Sequence, residues 1–88
     1  MAEPIQATYD ELTAISNSLA ELSGRTDGLY QSLRSSKSDL HGEWVGFGWD
    51  SFDDEMENGL LPGIQKLSGA LQNASALVTA ISLSLIHI

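Results

Sequence analysis

Apolar residues in the first half of the chain step alternately by three and four: Leu12, Ile15, Leu19 and Leu22, then Leu29, Leu33 and Leu40, with Thr26 and Ser36 filling the two gaps. This is a heptad pattern, which predicts an amphipathic helix packed at a shallow angle against another. Thr8 followed by Glu11 has capping-box spacing, and Asp10 and Glu11 suit the positive end of a helix dipole. A first helix is therefore expected from about residue 8 to 41. Gly24 and Gly28 lie mid-arm, and each weakens a helix by about 1 kcal/mol relative to alanine. They either admit a neighbouring helix closely or sit on the outer face.

In the second half, Trp49, Phe52, Met56 and Gly59 or Leu60 share one face, whereas Ile64, Leu67, Leu71, Ala74, Val78, Ile81 and Leu85 continue with the register displaced by one residue. The displacement falls at Leu60-Leu61-Pro62-Gly63. Proline removes a helical hydrogen bond and crowds the carbonyl four residues back, so the second helix, about 48–81, is expected to kink near Pro62 or to restart there. Residues 42–47 form the turn, where Gly42, Gly46 and Gly48 let the backbone reverse. Each arm is ~50 Å long at the helical rise, and matched lengths predict an antiparallel hairpin in one all-α domain over residues 1–88. Ile81 to Ile88 alternates with strand-like period and lacks a polar finish, so 82–88 reads as a suspect tail.

Length sharpens the picture. A chain of 88 residues is near the lower limit for one self-sufficient core, and the absence of cysteine removes disulfides and thiolate metal sites. Association is the remaining route to enough burial. The expected assembly is a four-helix bundle of two hairpins. Leu12, Ile15, Leu19, Leu22, Leu29 and Leu33 then pack on Phe52, Met56, Ile64, Leu67 and Leu71, and a second subunit covers what is left.

Charge excludes several functions. The formal charge is −8, from twelve acids against four bases, which argues against nucleic acid and anionic membrane surfaces. Residues 58–88 hold one charge, Lys66. The uncharged stretch from Leu67 is interrupted by Ser68, Gln72, Asn73, Ser75, Thr79, Ser82 and Ser84, which argues against a membrane span. Met1-Ala-Glu-Pro-Ile lacks the basic and apolar regions of a signal peptide, so the expectation is a cytoplasmic location or signal-independent export. Asp50, Asp53, Asp54 and Glu57 fall on one helical face, read first as solvated and second as a docking patch for a basic partner. Phe52 stands where an EF-hand needs its second carboxylate. His41 and His87 are the only histidines, too few for a metal or nucleophilic centre, and Gly46-Phe-Gly48 lacks the third glycine of a dinucleotide loop. No catalytic residue, metal, cofactor or small-molecule substrate is expected.

Trp44-Val45-Gly46 sits almost at the midpoint between the arms. Together with Phe52, Glu55-Met56-Glu57 and Leu60-Leu61-Pro62, this arrangement resembles the WXG-type small proteins of type VII secretion over nearly the whole chain. The resemblance implies a helical hairpin that is exported as a folded dimer by a secretion ATPase, after a cytoplasmic stage, to the cell surface or beyond. It also implies that Trp44 and Gly46 take part in partner recognition, with a tryptophan that only covers the local core as the second reading. Family members with their own export signal carry Tyr-x-x-x-Asp/Glu past the second helix. Here Tyr9 is followed four positions on by Thr13 and Tyr30 by Arg34, so that signal is expected from a partner or has been lost with the end. The partner is a second copy, a paralogous WXG-type protein or the helical region of a larger toxin, for which this chain would be an adaptor. The alternative outside secretion is a cytoplasmic structural coiled coil. Thr26 and Ser36 at seam positions favour a specified partner.

Overall fold

In the computed structural model, residues 3–44 and 46–86 are described. They form α1 (Glu3–His41), α2 (Phe47–Glu55), a five-residue π-helical turn (Met56–Leu60) and α3 (Leu61–Ile86), with no strand among them. α1 folds back on the continuous second arm to give a rod of 68 × 17 × 13 Å.

α1 begins earlier than its capping-box pattern predicts. Pro4 stands in the first turn, where its missing N–H costs nothing. Thr8 is therefore inside the helix, and its hydroxyl donates to the Pro4 carbonyl at 2.9 Å instead of capping. The helix closes on turn bonds from the Gly42 N–H to the Asp39 carbonyl and from the Glu43 and Trp44 N–H groups to the Leu40 carbonyl.

The phase slip in the second arm is real, but its cause is displaced from the expected site. The Leu61 N–H bonds to the Met56 carbonyl, one residue further back than in an α-helix, and this wider turn absorbs the extra residue. Met56 and Leu61, five apart, both reach the core because of it. Pro62 follows in the first turn of α3 with no break. It has no N–H for the Asn58 carbonyl, so α-helical bonding is already weakened where the π turn forms. The strand-like alternation at the end does not make a strand, since α3 runs on to Ile86 and the Ser82 hydroxyl, inside it, bonds to the Val78 carbonyl at 2.9 Å. His87 of the suspect tail lies outside the described residues.

The seam between the arms differs from the expected one in every second position. Leu12, Leu19 and Leu33 are half-buried, but Ile15, Leu22 and Leu29 point outward, and their places in the seam go to Ser16, Ser23, Tyr30 and Lys37. On the second arm Trp49, Met56, Leu61 and Ile64 are buried and Phe52 and Leu71 half-buried, while Leu67 is exposed and Ser68, Ser75 and Ser82 turn inward. Reciprocal hydrogen bonds explain the choice. The Ser16 hydroxyl donates to the Ser75 carbonyl at 3.0 Å and the Ser75 hydroxyl to the Ser16 carbonyl at 2.8 Å. One heptad on, Ser23 donates to the Ser68 carbonyl at 2.9 Å and Ser68 to that of Ser23 at 3.1 Å. A helical carbonyl keeps one free lone pair, and only a short side chain lets the opposite helix come close enough to use it.

Gly24 and Gly28 do not serve close approach. A Cβ at either would meet nothing within 4 Å, so they lie on the outer surface.

Candidate functional site

Two surfaces stand out: the turn end of the rod and one long face of it. At the turn, Gly46 has φ 101° and ψ −162°, a conformation open essentially to glycine alone. Its carbonyl accepts the Asp50 N–H at 3.0 Å, so this single residue both reverses the chain and starts α2. Val45, the middle position of the motif, lies outside the described residues.

Trp44 folds back over the start of α2. A Cβ at Gly48 would lie 3.1 Å from the Trp44 ring, so the close approach belongs to Gly48 and the backbone requirement to Gly46. The Trp44 ring packs edge-on against Trp49 at 5.9 Å between centroids and against Phe52 at 5.3 Å. It remains 36 % exposed, and Phe47 beside it is 86 % exposed. Trp44 therefore covers the local core with one side and presents its other side at the tip.

Trp49 is the centre of this cluster. His41 at the end of α1 stacks on it at 4.2 Å with the rings 3° from parallel, and Lys37 Nζ stands 5.3 Å from its ring centroid. Lys37 also makes ion pairs with Asp53 and, at 3.0 Å, with Glu57. The Asp53 carboxylate first and Glu57 second hold the Lys37 ammonium above its ordinary value, against a smaller opposing effect of burial.

The four carboxylates of early α2 are thus divided. Asp53 and Glu57 turn to Lys37, Asp54 accepts from the Asn58 side chain at 2.7 Å, and Asp50 is exposed. Sequence reasoning missed Lys37 and Trp49 as members of the turn. Lys37 holds a seam position, and a lone basic residue in a heptad seam opposite acids was the available signal.

The long face carries the side chains that the serine seam turned out. Ile15, Leu22 and Leu29 of α1 and Leu60, Leu67 and Ile81 of the second arm are all exposed. In an antiparallel pair the positions just before the first seam position of each heptad meet on one side, so these six line one face. The opposite face is a shallow groove of Ala20, Gly24, Asp27 and Gln72 beside the Ser23 and Ser68 layer. One face is apolar and the other polar.

The sequence model for proteins of 100 residues with WXG matches residues 4–85, nearly all of this hairpin and its Trp44-x-Gly46 turn. The chain belongs to the WXG100 family. WXG100 proteins are small, helical, non-enzymatic proteins secreted through type VII systems. No curated protein and no solved structure matches this WXG100 chain. Among its described residues no helix is long and apolar enough to cross a membrane.

Proposed function

We propose that this protein is a substrate or co-secreted carrier of a type VII secretion system that works by binding, two hairpins closing a four-helix bundle over the apolar face and the secretion ATPase recognising the folded dimer. The observation that carries this reading is the outward turn of Ile15, Leu22 and Leu29 opposite Leu60, Leu67 and Ile81. Covering each such half-exposed side chain contributes roughly 1 kcal/mol. A second hairpin supplies that cover along the whole length of the rod.

The turn has a separate role in this reading. Trp44 and Gly46, with Phe47 beside them, form a rigid apolar tip, and Asp50 and Asp54 are its acidic docking residues for a basic recognition surface. Trp44→Ala should lower export in a host with a type VII system while far-ultraviolet circular dichroism stays within a few per cent of the parent. Loss of helicity together with export would mean that Trp44 serves only the local core. The bundle itself is tested by the mass in solution: a chain that stays monomeric at every concentration, alone and with every candidate partner, would sink it.

A further inference from the structure

We propose that Asn58-Gly59 is a self-modifying site, at which the folded chain slowly converts its own asparagine to aspartate and isoaspartate and so loosens the joint between α2 and α3. The reaction needs no partner, only water.

The π turn exposes this pair. Between the buried Met56 and Leu61 stand Glu57, Asn58, Gly59 and Leu60, all exposed, whereas the steps of three and four in an α-helical seam leave at most three residues outside in a row. Glycine holds a helix less well than any residue except proline. Pro62 has no N–H for the Asn58 carbonyl, so one of the bonds that would fix the Asn58 backbone is missing. Local opening here breaks little.

Opening lets the Gly59 backbone nitrogen attack the Asn58 side-chain carbonyl carbon. A C–N bond forms, the bond from that carbon to Nδ2 breaks, and Nδ2 leaves as ammonia, with the Gly59 proton ending on it. Water then opens the cyclic imide at either carbonyl: addition at the side-chain carbon gives aspartate, and addition at the main-chain carbon gives isoaspartate. Nothing is oxidised or reduced.

A latch restrains the first step. Asn58 Nδ2 donates to the Asp54 carboxylate at 2.7 Å, one turn back, which holds the side chain away from the Gly59 nitrogen ahead of it. Asp27-Gly28 supplies a comparison within the same molecule, since an aspartate before glycine forms the same imide by losing water. Gly28 is equally open, with nothing within 4 Å of a Cβ. That pair, however, lies inside α1 between the half-buried Thr26 and Tyr30 and one turn past the Ser23 and Ser68 bonds, so reaction there must open α1 against the other arm.

Both products change the turn end. The aspartyl chain has a carboxylate where an amide donated to Asp54, which makes a like-charge pair one turn apart on a chain already at −8. The isoaspartyl chain runs its backbone through the former side chain. That added methylene breaks the common phase of Met56 and Leu61, and α2 comes away from α3.

Trypsin places Asn17, Asn58 and Asn73 on separate peptides, residues 1–25, 38–66 and 67–88, and Asp27 on residues 26–34. After the purified chain has stood at neutral pH, residues 38–66 should carry the mass of an acid in place of an amide and resolve into two forms, of which the isoaspartyl one accepts a methyl group from an isoaspartyl methyltransferase. Asn17 and Asn73 should remain amides. Asn58 should convert within about tenfold of its rate in the urea-unfolded chain, and Asp27 should isomerise at least about a hundredfold more slowly than in that chain. Pro62→Ala leaves the reacting pair untouched and returns an N–H to the Asn58 carbonyl, so it should slow conversion about threefold or more in the folded chain and not at all in urea. Asp54→Ala should speed it. Gly59→Ala should slow it at least about fivefold without loss of fold, because the new Cβ meets nothing nearer than the Glu55 carboxylate at 3.9 Å. An Asn58 amide that persists in the folded chain while the unfolded chain converts, an Asp27 slowed no more than Asn58, or a Pro62→Ala rate equal to the parent's would each overturn the proposal.

Discussion

The two ends of the hairpin are built on opposite plans. At the turn end Trp49, Met56, Leu61 and Ile64 are buried, and carboxylates and a lysine surround them. Toward the open end the buried residues are Ser16, Ser23 and Ser82, with Leu12, Leu19 and Leu71 half-buried beside them, while Ile15, Leu22 and Ile81 face out. The turn end therefore has a core of its own, while the open end is held by hydroxyl-to-carbonyl bonds, each contributing about 1 kcal/mol. A helix pair can be closed by either means, but the second needs no large apolar side chain at its fully buried positions. The contrast teaches that small hydroxyl side chains can close a helix pair as a large apolar core does, and so set which apolar side chains stay outside.

The strongest way to break the contrast is to remove the centre of the turn-end core. Trp49→Ala takes away the ring shared by Trp44, Phe52, His41 and Lys37 and should cost about 3–5 kcal/mol, read as a lower urea midpoint. An effect below about 1 kcal/mol would mean that the turn end has no core.

Ser23→Leu asks the reverse question at the open end. A bulky side chain there forces the arms apart and breaks the Ser23 and Ser68 bonds, so it should destabilise by about 1–3 kcal/mol although it adds apolar surface. A stabilised variant in thermal unfolding would show that the serine layers are incidental.

Gly24→Ala and Gly28→Ala should each stabilise by about 0.5–1 kcal/mol, because the added methyl meets open space and only helix propensity changes. A loss of stability would indicate a close contact at that face.

The smallest effect concerns Lys37. Its pKa is raised in the folded state by Asp53 and Glu57, so its contribution is fully present below the unfolded value of about 10.5 and is lost as pH rises through the folded value. The alkaline loss of stability in the parent should therefore shrink in Lys37→Met, measured as the pH dependence of the urea midpoint. Equal alkaline profiles would remove the ion pairs from the account of the turn end.

Much of this was legible in the chain. The heptads of both arms, the turn at Trp44-x-Gly46 and the one-residue phase slip are local periodicities, and they appear as helices, a reversal and a π turn, the last at Met56–Leu60 rather than at Pro62. The site was legible only in part. Trp44 and Gly46 were visible from the motif, but the roles of Gly48, Trp49 and Lys37 depend on which side chains the reversal brings over the start of α2. The capping box at Thr8 failed because Pro4 offered an earlier start at no cost in hydrogen bonds.

The sequence by itself determined two amphipathic arms, their joint and their unequal charge, because propensity, periodicity and charge are properties of neighbours along the chain. The tertiary structure alone decided which edge of each apolar stripe closes the hairpin. Leucine and serine stand at adjacent positions in both heptads, at Leu22 and Ser23 and again at Leu67 and Ser68, and either could have faced inward. Serine takes the seam because two helices at close range can share their spare carbonyl lone pairs with hydroxyls, and the leucines are left on the face where a second hairpin can cover them.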